Sequence, residues 1–245
     1  MEKEWNEDEG MKEKTTAIVL AAGKGSRMNS DIPKQYLALL GKPVLFYSLQ
    51  AFEQSDVDEI ILVTGSGEQE YCKNEIVEKY QLRKVTKIVE GGSERYHSVH
   101  CGLLAAGVTD YVLIHDGARP LISVEIINQA IKKVKETGAC VVGMPVKDTI
   151  QLVTESNVIE TTPVRSRTWM AQTPQCFSYK LALDSYQKAI ESGDAGITDD
   201  AMVIQRYGDA DVVMIEGSYK NIKVTTPEDI AVAECFLKSN FSIIL

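Results

Sequence analysis

The feature that most constrains this chain is a rhythm: short runs that are apolar at consecutive positions alternate with longer segments of helical periodicity. The runs are Thr16–Leu20, Ile60–Val63, Lys87–Val89, Tyr111–Ile114, Cys140–Pro145 and Val212–Ile215. A strand with one wet face alternates apolar and polar residues, whereas a strand covered on both faces does not. Several of these runs do not alternate, which predicts a mostly parallel sheet with helices on both sides. The intervening segments supply the helices: Pro43–Gln54, Glu68–Tyr80, Ser98–Ala106, Ser123–Thr137, Lys180–Glu191 and Thr226–Leu237. The last opens Thr226-Pro227-Glu228-Asp229, a capping hydroxyl, a proline at the first helical position and acids at the positive helix end. The expected fold is therefore a three-layer, doubly wound α/β domain. Its ligand crevice should lie at the carboxyl ends of the strands.

One stretch breaks the rhythm. Val146–Val153 and Val158–Thr161 are β-rich and are separated by the polar Thr154–Asn157, which reads as a hairpin. Such an arm, placed over residues 147–168, would stand off the sheet. An isolated hairpin is marginally stable in water, so it should pack on the parent domain or on another subunit. The remaining length suits a single domain over residues 15–240. Residues 1–14 read as a disordered acidic tail, too polar for a secretory or transit peptide. No apolar run approaches the ~20 residues that span a bilayer, so no membrane partner is expected. The five cysteines (Cys72, Cys101, Cys140, Cys176, Cys235) form no CxxC pair, which points to a reducing, cytoplasmic setting rather than a disulfide framework. A net charge of −9 argues against a general nucleic-acid surface. An anionic ligand would need its cations gathered at one place.

Three segments carry chemistry. The first run leads into Ala21-Ala22-Gly23-Lys24-Gly25-Ser26-Arg27-Met28, whose small residues let backbone N–H groups approach a phosphate. Neither GxxxxGK[ST] nor GxGxxG is present. The cations Arg27 and Lys34, the latter inside Pro33-Lys34-Gln35, raise the segment's value; the competing account is a turn with two exposed basic residues. Second, Gly91-Gly92-Ser93-Glu94-Arg95 precedes Ser98 at the start of an expected helix, where it could bond a base edge or simply cap the helix. Third, His115-Asp116-Gly117-Ala118-Arg119-Pro120 ends the most apolar run. Asp116 there would hold a ribose hydroxyl or a metal ion, and Arg119 a phosphate or Asp116 itself; structural ion pairing fits equally well. His115 reads as a satisfied, partly buried histidine. No Ser/His/Asp or Cys/His set points to covalent catalysis. Anion handling without a general base fits attack of a phosphate on an α-phosphate, where Arg, Lys and Mg²⁺ position the groups and neutralise charge.

In order along the chain, these segments are joined by Gln172-Thr173-Pro174-Gln175, Ile197-Thr198-Asp199 and Asn221-Ile222-Lys223-Val224-Thr225. The series resembles the 2-C-methyl-D-erythritol 4-phosphate cytidylyltransferase family of the non-mevalonate isoprenoid pathway, over roughly residues 15–238. The resemblance implies a Rossmann-like nucleotidyltransferase fold. It also implies transfer of CMP from CTP to the polyol phosphate, with pyrophosphate released and Mg²⁺ present. Arg27 and Lys34 would stabilise charge growing on the triphosphate. Ala21, Ala22, Gly23 and Gly25 would line the nucleotide site with Ala118 and Arg119, Gly92, Ser93 and Ser98 would recognise cytosine, and Asp116 would hold the ribose or help place the metal. Lys223 and Arg165 would position the polyol phosphate in a pocket lined by Thr149, Thr173 and Thr198. The arm would exchange with a second subunit, making a homodimer in which Thr149 and Arg165 serve the partner's site. Two departures stand out: Ser93 takes a position where the family often carries Asp, and Arg165 and Arg167 compete for one role. The nearest alternative is a ribitol 5-phosphate cytidylyltransferase, which tends to carry Ala-Gly-Gly and His-Asp-Ser-Val-Arg-Pro instead. A non-catalytic nucleotide-binding regulator is the alternative from another class. An NAD-dependent oxidoreductase fails on the glycine spacing.

Overall fold

The computed structural model describes residues 13–23, 32–194 and 196–241. The strands are β1 (Thr15–Ala21), β2 (Ala38–Leu39), β3 (Lys42–Pro43), β4 (Glu59–Thr64), β5 (Val85–Glu90), β6 (Tyr111–Asp116), β7 (Ala139–Pro145), β8 (Leu152–Val153), β9 (Ile159–Thr161), β10 (Trp169–Ser178) and β11 (Val213–Glu216). The helices are α1 (Val44–Glu53), α2 (Gln69–Cys72), which continues as a π-helical turn over Lys73–Glu78, α3 (Arg95–Ala106), α4 (Val124–Thr137), α5 (Tyr179–Ser192), α6 (Asp200–Tyr207) and α7 (Pro227–Phe241).

Seven strands form the main sheet in the order β11-β7-β10-β6-β1-β4-β5. All its pairings are parallel except the two made by β10. From β1 the chain steps outward through β4 to the β5 edge. It then returns to lay β6 on the other side of β1. That reversal opens a crevice beyond the carboxyl ends of β1 and β6, where an open α/β sheet takes its ligand. The continuous apolar runs are covered on both faces, as expected. Ala17 and Val19 of β1 pack with Leu45, Leu49 and Phe52 of α1 and with Ile127 and Val134 of α4. Ile18, between them in sequence, packs on the other side with Val99 and Leu103 of α3 and Tyr186 of α5. Each such side chain contributes about 1.5–3 kcal/mol through removal from water.

Besides the two-residue strands β2 and β3, two longer elements were not foreseen. β10 contains Gln172, Thr173, Pro174 and Gln175, a composition that argues against a central strand. The sheet accommodates it because the β10–β7 register breaks between Ala171 and Gln175, where proline has no N–H to give. The eight-residue α6 follows the N-cap Asp199, whose side chain accepts the Met202 N–H at 2.9 Å. At α7, Asp229 reaches back to accept the N–H groups of Thr225 and Thr226 at 2.7 and 2.8 Å. Glu13 and Lys14, read as part of the tail, are fastened to the domain: the Lys14 ammonium lies 2.7 Å from Glu59 of β4 and Glu13 lies 3.4 Å from Lys135 of α4. Ser98 does not start a helix, because α3 begins at Arg95 and Ser98 lies one turn inside it.

The arm is a hairpin with less strand than its sequence suggested. Only β8 and β9 pair, and they are exposed throughout. Among the described residues no helix is long and apolar enough to cross a membrane.

Candidate active site

A cleft of about 900 Å³ lies at the carboxyl ends of β1, β4, β5 and β6. Each strand delivers its following loop to the wall. Ala21, Ala22 and Gly23 follow β1; Gly65, Ser66 and Glu68 follow β4; Gly91, Gly92 and Ser93 follow β5; Asp116 and Ala118 close β6. Lys34 and Lys223 come from opposite ends of the sequence to the same cleft.

Local bonds hold these loops. Lys34 stands on a 3₁₀ turn over Lys34–Tyr36, and the Gln35 amide donates to the Ala21 carbonyl at 2.6 Å, tying that turn to the end of β1. The Tyr36 hydroxyl donates to Glu68 at 2.7 Å, and the same Glu68 oxygen accepts the Gly65 N–H at 3.1 Å. The glycine pair is required by packing. A Cβ on Gly91 would lie 2.7 Å from that of Ala22 and 2.6 Å from the Ser98 hydroxyl, and one on Gly92 would lie 2.4 Å from His97 Cβ. In return, Ser98 Oγ accepts the Gly92 N–H at 3.1 Å, and Ser93 Oγ bonds His97 Nδ1 at 3.1 Å.

Asp116 is the electrostatic centre. Lys223 Nζ lies 2.8 Å from Oδ2, Arg95 Nε 3.2 Å from Oδ1 and Arg119 Nε 3.7 Å from Oδ2. Burial alone would raise the carboxyl's pKa, but Arg95, Lys223 and Arg119 outweigh it and hold the group well below the usual carboxylate range. Asp116 is therefore an acceptor at any physiological pH and no proton donor. Behind it, Thr173 Oγ1 accepts the Asp116 N–H at 3.1 Å and shares a hydrogen with His115 Nδ1 at 3.0 Å. His115 is wholly rather than partly buried, and burial pushes its imidazole down to about 3, with Asp116 opposing and Arg119 reinforcing that shift. It is a neutral structural group.

Of the residues singled out from the sequence, Ala21, Ala22, Gly23, Lys34, Gly92, Ser93, Ser98, Asp116, Ala118 and Lys223 come together around the cleft. Gly25 and Arg27 lie outside the described residues. Arg119 does not line the cleft; it backs Asp116 and donates to the Asn221 carbonyl at 2.8 Å, which ties β6 to the loop bearing Lys223. Thr173 is buried beneath the site rather than facing a pocket. Thr198 is exposed just before the α6 cap. Thr149 and Arg165 sit on the arm, exposed, with Arg165 donating to the Lys147 carbonyl at 3.2 Å.

Sequence reasoning gave no role to Arg95. Its guanidinium grips Asp200 through two bonds of 2.6 and 2.8 Å, and the Tyr186 hydroxyl donates to the same carboxylate. Asn221 was also passed over; its amide donates to the Thr173 carbonyl at 3.0 Å. Both residues stood inside motifs already singled out, but their partners are distant in sequence and only the fold supplies them.

A family model described as "IspD: 2-C-methyl-D-erythritol 4-phosphate cytidylyltransferase" matches residues 15–239. A protein of that name from Lachnoclostridium phytofermentans is 49% identical over 228 residues, covering 93% of this chain and 98% of the relative. Another of that name, from Lachnospira eligens, is 51% identical over 225 residues, covering 91% and 99%. The crystal structure of 4-diphosphocytidyl-2C-methyl-D-erythritol synthase from Anaerococcus prevotii superposes with a TM-score of 0.81 at 33% identity, covering 92% of this chain and 96% of that one. The match runs from the first residue of β1 into α7, and so takes in every strand of the sheet and every wall of the cleft described above. The chain belongs to the 2-C-methyl-D-erythritol 4-phosphate cytidylyltransferase family.

Proposed function

We propose that this protein transfers CMP from CTP to 2-C-methyl-D-erythritol 4-phosphate, giving 4-diphosphocytidyl-2-C-methyl-D-erythritol and pyrophosphate for isoprenoid precursor synthesis. The observation that carries the reading is the meeting of Lys34 and Lys223 in a cleft whose floor is an ionised Asp116. A phosphate oxygen of the polyol phosphate attacks the α-phosphorus of CTP. The new P–O bond forms as the α–β bridging P–O bond breaks, and the electron pair leaves on pyrophosphate. The nucleophile is already ionised, so no general base is needed. Lys34, with Arg27, neutralises the charge that grows in flight, and Lys223 positions the polyol phosphate that attacks. The loop at Gly92 and Ser93 and the Ser98 hydroxyl behind it recognise cytosine, and Asp116 holds the ribose.

The reaction calls for a divalent cation, and the cleft fits one of a particular kind. Among the described residues no three His, Cys, Asp or Glu groups cluster as a protein-only cage. Mg²⁺ keeps most of its six oxygens from phosphate and water and needs only one or two carboxylates. Asp116 fits that part; the cation, when bound, offsets triphosphate charge. The exposed arm supports a homodimer in which Thr149 and Arg165 reach the partner's cleft to hold the polyol phosphate, with Thr198. The five free cysteines support a reducing, cytoplasmic setting.

The test is pyrophosphate release from CTP and Mg²⁺, with methylerythritol 4-phosphate and ribitol 5-phosphate in parallel. Turnover with the first alone is expected. Turnover with ribitol 5-phosphate instead would overturn the substrate, and silence in both despite bound CTP would favour a regulator.

A further inference from the structure

We infer that Arg95 is a positioning residue that locks the nucleotide half of the cleft to the α6 end of the site through one guanidinium shared between Asp116 and Asp200. The inference rests on the activity proposed above. Arg95 is the first residue of α3, directly after the Gly92-Ser93-Glu94 loop on the expected base side. Its Nε lies 3.2 Å from Asp116 Oδ1, while Nη1 and Nη2 take the two oxygens of Asp200 at 2.6 and 2.8 Å. Asp200 is fully buried at the first turn of α6, and Tyr186 donates to it from α5. The Gln175 amide fixes the same turn: its oxygen accepts the Ala201 N–H at 2.7 Å, and its nitrogen donates to Asp199 at 3.4 Å. Thr198 immediately precedes that cap.

The arrangement assigns each donor edge of Arg95 a separate task. The Nη pair neutralises a carboxylate that would otherwise be charged and buried. The Nε edge reaches into the cleft and holds Oδ1, so that Lys223 meets Oδ2 in one fixed geometry. Lysine cannot do both, because an ammonium is a point charge without a planar fork. Misplacing a reacting group by about 1 Å costs on the order of 100-fold in rate. Arg95 therefore acts on turnover through Asp116 and on stability through Asp200, and the two effects are separable.

Steady-state turnover and melting temperature of the full chain, wild type against Arg95→Gln, Arg95→Lys and the double variant Arg95→Gln/Asp200→Asn, test this. Arg95→Gln leaves Asp200 buried without its cation and should lower the melting temperature. The double variant replaces the ion pair by two amides and should recover most of that loss. Its kcat should nevertheless stay at least about tenfold below wild type, with the KM for CTP changed less than the kcat. Arg95→Lys, which keeps a cation, should also lose turnover. Wild-type kcat in the double variant or in Arg95→Lys would overturn the inference and leave Arg95 a purely structural partner of Asp200. A wild-type protein that releases no pyrophosphate would instead overturn the activity reading, and this inference with it.

Discussion

The cleft and the arm are built on opposite terms. Around Asp116 the chain supplies its own partners: three cations on one carboxylate, Thr173 under its backbone, Gln35 and Asn221 tying the loops that bear Lys34 and Lys223. The arm has little of this. β8 and β9 are two and three residues long, and Leu152, Val153, Val158, Ile159 and Val164 are each between 46 and 63% exposed. At its root, Lys147 lies over the Tyr219 ring at 3.5 Å and the Tyr219 hydroxyl donates to the Pro145 carbonyl at 2.8 Å. Beyond the root, these apolar side chains stay about half exposed among the described residues. A hairpin of that size does not hold its shape alone in water. The cleft is thus preorganised within one subunit, whereas the arm leaves apolar surface that the proposed second subunit would cover.

The largest effect should come from the preorganised side. Lys223→Ala removes the cation 2.8 Å from Asp116 but leaves Arg95 and Arg119 to neutralise it. Turnover should fall by about 10²–10³-fold while the melting temperature moves little. Equal losses in both would show Lys223 to be a structural counter-ion, and would erase the distinction drawn for the cleft.

Next comes the arm. Ile159→Asp puts a charge where an apolar side chain is 60% exposed in the single subunit. It should weaken self-association about 10- to 100-fold with the subunit still folded, and light scattering across a dilution series would read the change in mass. Unchanged mass at every concentration would mean that the arm packs elsewhere. A finer version mixes Arg165→Ala with Lys34→Ala. If each active site takes Lys34 from one chain and Arg165 from the other, random exchange makes half the dimers mixed, and each mixed dimer has one intact site. Activity should return to about a quarter of wild type. No recovery after proven exchange would place Arg165 in its own subunit's chemistry.

The same contrast explains what was legible in the sequence. Strands covered on both faces announce themselves as unbroken apolar runs, so β1, β4, β6 and β7 were readable to within a residue or two. β10 was not, because its middle is a Gln-Thr-Pro-Gln segment that earns its place through bonds to β6, α6 and the Asn221 loop rather than through apolar periodicity. Cleft residues on the loops after β1, β5 and β6 were also readable, since topology sends them to one end of the sheet; Gly65, Ser66 and Glu68 after β4 carried no motif and were not. Arg95 and Asp200 are 105 positions apart, and no local pattern joins them. Arg119 and Thr173 were placed in the right neighbourhood but face inward. Residue type says that a side chain can bond a ligand; only packing says whether the fold has already used it.

The 3₁₀ turn carrying Lys34 lies between these extremes, and it gives the smallest effect. Its far end is held by the Tyr36 hydroxyl, which contacts Glu68 at 2.7 Å and the Cys72 sulfur at 3.1 Å. Burial, then Cys72 and Glu68, push that hydroxyl's pKa far up, so it remains a donor. Tyr36→Phe keeps the ring against Tyr71 but removes the donor. One partly buried hydrogen bond is worth about 1 kcal/mol, which for a chain of this size is a melting shift of about 2–4 °C. Because Gln35 still ties the turn to β1, Lys34 should stay close to its place, and kcat should drop only a few-fold. A loss as large as that of Lys223→Ala, with no change in melting, would mean that the Tyr36 hydroxyl itself meets the triphosphate. The opposite result, a melting shift with kcat untouched, would show that Gln35 alone suffices to hold Lys34. The preorganisation of the cleft would then reside in its buried backbone ties rather than in the half-buried hydroxyls around it.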